Sequence, residues 1–589
     1  MKNRILILVC LIGLMLSSCN NVLDVGSDGR LSYDVVFSDN ILTSGYLNNC
    51  YALMPLNGMS YNSNNFFGVF TDEAQDAEDV IAGSVSLNYY RGAMTSSINL
   101  MEGGSNNTTY NNMYRAIRSC NIFIDHIDKA TITVETNRNR WKGEAYTLRA
   151  FYYWHMIKRF GPLPLLKHDL ASNLDSATLV RPTFYNCVKK ILQDCDSALA
   201  QPNLPWRSSL DGDRGSMTKS VAVAIKSEAI LFAASPQWNA TNDNVVWKEA
   251  AAITKATLDS LAKRNYSLYN PKDANPSIKA YSDYQRLFLL KPEMVDNPTY
   301  DKETIYAQRT QLANVWQQNG PPMSTDVQKA GTCPSQELVD AYETLNGMPV
   351  LDPVNPYSDA DHLVPNYNAL NTQYDKTKPY LNRDPRLLST IFCNGSNFNL
   401  SNNTQPVNIY VGGSQGISTT DRRYTRTGYY LRKFANYTST KTANSDGYWR
   451  YFRLAEMYLN YAEADYFANG VTVAAVDALN KTRVRAGLPA LSYSISTTEF
   501  KQRLQNERRV ELAFEEHRYF DVRRWKIQSK VEGLVTGMSI TGTGTYTYNR
   551  VVISRRSVTA SKYMLWPIPA ADQIKLSQLL KLNFQNSGW

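Results

Sequence analysis

The chain of 589 residues is 43% hydrophobic and 20% charged, with 38 Tyr, 19 Phe and 10 Trp. This is enough apolar material for a large core, and it excludes a disordered chain. The formal charge of +9 is diffuse, with no basic cluster dense enough to point to a nucleic-acid partner.

At the start, Lys2 and Arg4 precede an apolar run over residues 5–16 that ends in Leu16-Ser17-Ser18-Cys19. A basic region, a short apolar stretch and small residues before a cysteine are the pattern of an export signal. The ending looks like the bacterial lipobox, which implies removal of residues 1–18 and a lipid on Cys19. Residues 19–35 then read as a lipidated tether. No later run reaches the roughly 20 apolar residues of a spanning helix, so acyl chains alone would hold the protein to a membrane. Residues 1–18 contain no acid, so losing Lys2 and Arg4 leaves +7. Six cysteines remain after Cys10 and Cys19, too few for a disulfide scaffold in a chain of this length. Cys187 and Cys195 lie about 12 Å apart along one helical pattern and cannot pair there.

Helical periodicity predicts helices over 36–55, 110–127, 141–160, 184–200, 218–234 and 247–261. Their spacing suits helix pairs of about 34 residues per unit. Between 57 and 107 lies a long loop rich in Asn, Gly and aromatics, with an acidic run from Asp72 to Asp79; Phe66, Phe67 and Phe70 read as pins to the core. From 266 to 448 the periodicity dissolves into Tyr, Asn, Thr, Gly and Pro, with short extended candidates at 303–309, 407–410 and 429–434. It resumes at 451–464, 472–485 and 499–525, and a hairpin is expected within 530–560. In the 499–525 helix, Arg508 with Glu511 and Glu515 with Arg518 stand at i,i+3, the pattern of a solvated face. The fold class is therefore mainly α: one α-rich domain over 36–589, with a helical part to about 265, a loop-rich insert to 448, and a helical core and tail from 449.

Catalytic and metal signatures are missing. The five histidines include no His-Glu-x-x-His element, and no phosphate loop, dinucleotide fingerprint or Gly-x-Ser-x-Gly occurs. No EF-hand loop is present, and the sequence leaves a structural calcium open.

Several stretches in order resemble one family, the SusD/RagB-like nutrient-binding outer-membrane lipoproteins of Bacteroidota. They are Cys19 with Leu23-Asp24, Phe70-Thr71-Asp72-Glu73, Trp141-Lys142-Gly143-Glu144-Ala145, Gly161-Pro162-Leu163-Pro164, Asn382-Arg383-Asp384-Pro385-Arg386, Arg453-Leu454-Ala455-Glu456, Glu507-Arg508-Arg509-Val510-Glu511-Leu512-Ala513-Phe514-Glu515 and Leu565-Trp566-Pro567. The resemblance implies tetratricopeptide-like helix pairs and a place on the outer face of the outer membrane. It implies capture of oligosaccharides or polysaccharide for a TonB-dependent, SusC-like porin, without bond breaking and without a cofactor.

Sugar rings have apolar faces and polar edges, so a glycan site wants flat aromatics beside polar side chains. The loops offer Tyr89 and Tyr90 with Arg91, Trp238 with Asn239, and Trp316; Tyr61 and Trp206 are weaker candidates. Two other functions are weighed against capture. A lipid-anchored glycoside hydrolase would draw its carboxylates from the Asp72–Asp79 stretch, and a helical protein-interaction module would bind no glycan.

Overall fold

The computed structural model describes residues 31–589 apart from 55–57, 60–63, 98–108, 167–178, 209–214, 271–282, 291–293, 296, 313, 323–326, 400–402, 436–446 and 582. The signal sequence, Cys19 and Tyr61 lie outside the described residues.

The helical backbone comprises α1 (Asn40–Tyr51), α2 (Thr109–Ile127), α3 (Glu135–Phe160), α4 (Phe184–Leu199), α5 (Lys219–Ala234) and α6 (Asn244–Ala262). Starts are set by capping: the side chains of Thr183, Thr218 and Asp243 accept from backbone N–H groups of the first turns of α4, α5 and α6. The end of α3 is set by Gly161, which takes a φ of 73° ahead of Pro162. Successive helices from α2 to α6 pack side by side, as expected of helix pairs. Helix α5 is buried nearly all round, because its neighbours cover every face.

After α6 the chain leaves for the insert, which includes the short α7 (Gln336–Ala341), and returns as α8 (Leu454–Asn469), which packs on α6. Then come α9 (Val473–Arg485), α10 (Thr497–Glu511), α11 (His517–Arg524) and α12 (Gln528–Val531). Among the described residues the strands form two-stranded pairs. Leu534–Thr541 pairs antiparallel with Thr547–Arg555, the hairpin expected from sequence, and Thr304–Gln311 pairs with Tyr448–Arg453.

Two sequence readings are corrected. The stretch 499–525 is two helices, broken where Phe514 and Glu516 adopt φ of 62° and 71°; neither is glycine, so nothing in the composition announces the break. The charged residues expected on its solvated face are interior. Arg508, Glu511, Glu515 and Arg518 are all buried and bond to other segments. Glu511 meets Arg453, Arg386 and Arg485, and Glu515 meets Arg453 and Lys433. These carboxylates and guanidiniums satisfy one another across the return of the chain, the condition under which buried charge is tolerated. The six described cysteines are buried free thiols.

Candidate functional site

The sequence-derived site residues do not come together. The Tyr89 ring is fully buried, packed edge-on to Phe70 and Tyr563, and its hydroxyl accepts from Arg523 at 3.1 Å. Tyr90 is buried as well, donating to the Val69 carbonyl at 2.9 Å with the Arg556 guanidinium 4.1 Å from its ring centre. Trp316 is buried in a small second core with Phe392 and Phe398. None of these three rings offers a face on which a sugar could stack. Asn239 is buried and used locally, its amide donating to the Ala234 and Asp243 carbonyls. Trp238 is half-buried and lies parallel to Phe184 at 4.1 Å, while Arg91 is exposed.

The acidic run at 72–79 does not supply a free carboxylate pair. Asp72 takes bonds of 2.8 and 2.8 Å from Arg518 and one of 2.7 Å from Arg509. Burial alone would raise its pKa, but the two guanidiniums hold it down to about 2. Asp76 accepts from Asn65 and Ser86, Glu78 from Lys329 and Arg422, and Asp79 from Gln75. Glu73 differs: burial first, and then the neighbouring Asp72, push it up to about 8. Its Oε1 has no hydrogen-bond partner, and each other carboxylate of the 72–79 run is engaged by at least one donor, so the run offers no second free one for a double displacement.

The described residues do enclose one large cleft, of about 910 Å³. One wall is the segment 337–370, which begins within α7; the other is α10 with α12, and Asp72, Arg509 and Arg518 also line it. Met348, Leu351, Val354, Leu370, Ile527 and Val531 make it largely apolar, and Gln502, Asn506, Arg509, Asn368 and Lys530 bring polar groups to the same surface.

The loop wall is irregular yet heavily tied. Asp352 accepts from the Val354 and Asn355 amides, Asp359 accepts from Leu363 and Val364, and isolated bridges join Leu351 to Tyr367 and Tyr357 to Pro365. Local side-chain acceptors thus replace a ladder. Across the cleft, Gln502 donates to the Pro353 carbonyl and Asn506 to the Ala341 carbonyl, so α10 and the loop are held at fixed separation.

One aromatic pair stands in this wall. Tyr357 and His362 stack with centres 4.0 Å apart and planes 13° from parallel. The Tyr357 hydroxyl donates to Asp340 at 3.0 Å, and Asp340 receives both Nη atoms of Arg550 at 2.8 Å. Burial opposes the charge on Asp340, but Arg550 keeps its carboxyl below the usual range. The pair is thereby fixed in orientation before any ligand arrives. Sequence reasoning missed it because Tyr357 and His362 are separated from Asp340, Gln502 and Lys530 by up to 173 residues, and only the fold closes that distance.

Comparison with known proteins bears on what this architecture is for. The model of the SusD family matches residues 293–589, just over half of the chain, and a second model, "starch-binding associating with outer membrane", matches residues 22–228. The chain belongs to the SusD family. A SusD-like protein of Bacteroides fragilis has 25% identity and a TM-score of 0.73, with 94% of this chain and 98% of that one covered. A SusD-like carbohydrate-binding protein of the same species has 20% identity and a TM-score of 0.69, with 92% and 98% covered. SusD-like protein P25 of Formosa agariphila is 22% identical over 446 residues, 71% of this chain and 70% of that protein.

SusD-family membership gives the chain its role: glycan capture at the outer membrane beside a SusC-type porin, without catalysis. The family is one of lipid-anchored outer-membrane proteins, and among the described residues no helix is long and apolar enough to cross a membrane.

Proposed function

We propose that the cleft between the 337–370 segment and α10 is the place where this SusD-family protein holds its glycan. The single observation that carries this reading is the coincidence, in about 910 Å³, of apolar walls with amide, ammonium and guanidinium side chains lining the same cleft. That volume lies in the range of sites that take small ligands and leaves room for a short oligosaccharide. The wall carries both signs of charge, with Asp352 and Glu499 beside Arg509 and Lys530, so it sets up no strong preference for acidic glycans. The carbohydrate-binding name of the B. fragilis relative supports the same ligand class. From the sequence-derived set, Arg91 and the open edge of Trp238 stay as proposed outer contacts, and Cys19 stays as the proposed lipid attachment.

The test is a double substitution, Gln502→Ala with Lys530→Ala, in the purified full chain. Lys530 is exposed and Gln502 half-buried, and Asn506 still ties α10 to the Ala341 carbonyl, so stability should hold within about 1 kcal/mol. Affinity for the cognate glycan should fall roughly tenfold or more, the equivalent of one or two lost hydrogen bonds. Unchanged affinity would remove the cleft as the site.

The porin needs a second surface. Exposed large apolar side chains are frequent between 345 and 388; Val354 and Leu370 line the cleft, whereas Val364 at 54% and Leu381 at 57% exposure, with Tyr367, lie outside it. Exposed apolar side chains of this kind suit a protein contact. This edge of the insert is the proposed docking face for the SusC-like porin.

A further inference from the structure

Three ligand-type side chains from three distant parts of the chain meet in the helical core. Glu228 comes from α5, Glu456 from the first turn of α8, and His517 opens α11. One ligand atom of each lies within 4.8 Å of the other two. Glu228 and Glu456 are 2% and 0% exposed, and His517 Nε2 is 4.0 Å from Glu456 Oε2.

Glu456 Oε2 is buried with no hydrogen-bond partner, while Oε1 accepts only from Asn460 at 3.1 Å. An acceptor left bare in the core is destabilising, so this oxygen is open to a ligand. The nearby cations are otherwise engaged. Lys158 donates to Glu228 at 3.3 Å, and Arg508 gives Nε to Asp521 and Nη1 to Asn460. Two of the three residues, Glu228 and His517, line a cavity of about 20 Å³ together with Lys158 and His155 among others, enough for one water.

We propose that Glu228, Glu456 and His517 form a structural site for a divalent cation of the zinc class. One imidazole, two carboxylates and a water in the small cavity would complete four-coordination. Bonds of about 2.0–2.1 Å put tetrahedral ligands roughly 3.3 Å apart, so each ligand atom closes in by an ångström or less. An imidazole with so few oxygens disfavours calcium, which takes six to eight oxygen ligands. Such an ion would tie α5, α8 and α11 together at the point where the chain returns from its insert.

The test starts from the purified full chain, stripped with a chelator and titrated with zinc against a chromophoric competitor. One zinc per chain is expected, together with a rise in Tm that calcium does not reproduce. In Glu456→Gln and His517→Asn the affinity should fall by more than about 100-fold, beyond the effect of outer-sphere changes. Absence of a stoichiometric zinc would overturn the proposal, as would equal binding by both variants. Should a variant fail to fold, zinc-edge X-ray absorption of the wild-type protein decides. One nitrogen with oxygen ligands supports the site, and sulfur or all-oxygen coordination refutes it.

Discussion

At the residue scale, the interior of this protein is unusually ionic, and the consequences depend on how each charge is partnered. Arg453 bonds to Glu303, Glu511 and Glu515, and Arg386 to Asp384, Glu507 and Glu511. Both arginines and their acids are buried, so removing one member leaves uncompensated charge. Glu73, like Glu456, is an exception, with one carboxylate oxygen, its Oε1, that has no hydrogen-bond partner. Burial and Asp72 raise it to about 8 from an ordinary 4.5, while Arg518, Arg509 and Lys433 pull the other way. A raised carboxyl binds its proton more tightly in the folded chain. Its contribution to stability is therefore complete below about 4.5 and is lost as pH rises through about 8. Glu73→Gln keeps the neutral shape at every pH. Denaturation midpoints of the variant and wild type should be close at pH 4 and separate in favour of the variant by pH 9. Equal separation at both values would show that Glu73 does not titrate in this window. The i,i+3 charges of 508–518 were legible in the sequence as charges, but their burial was not, since pairing spacing on one helix says nothing of what covers that helix.

At the scale of elements, the helices were legible because their apolar positions repeat every three or four residues and their ends carry Thr, Asp or Gly caps. The break at 512–516 was hidden, because it is imposed by the tertiary bonds of Glu511 and Glu515 rather than by a breaker residue. The loop wall of the cleft was hidden for a related reason: its Asx turns are local, but its position is set by Gln502, Asn506 and Arg503 from α10. Gly347 is where that loop begins. It has a φ of +74°, and a Cβ there would lie 2.8 Å from Pro489 Cγ and 3.0 Å from Arg483 Nη2. Arg503 also donates to its carbonyl at 2.8 Å. Gly347→Ala should therefore cost about 1–3 kcal/mol and speed hydrogen exchange selectively over residues 348–370. Exchange unchanged there would mean that the loop is held by its own turns alone.

At the scale of the whole molecule, the solenoid of paired helices is a frame on which the insert builds two surfaces, a cleft and an apolar edge. Family membership was legible because its motifs mark the frame, and the frame is what holds α8 and α10 against the rest. The ligand surface was not legible: aromatic-rich loops suggested Tyr89, Tyr90 and Trp316, yet those rings proved to be core material, as most aromatics are. The apolar edge leads to a direct expectation. Val364→Glu with Leu381→Glu, both at exposed positions outside the cleft, should leave the isolated protein folded and reduce its co-purification with the SusC-like porin at least tenfold, since charge at an apolar contact is left unpaired. Full retention of the complex would place the porin elsewhere. The central claim is capture without cleavage, and calorimetric titration of the purified full chain against neutral and acidic polysaccharides, followed by chromatography of the mixtures, tests it most directly. Saturable binding to at least one glycan with no new shorter products is the predicted result; release of shorter products by the pure protein would contradict it.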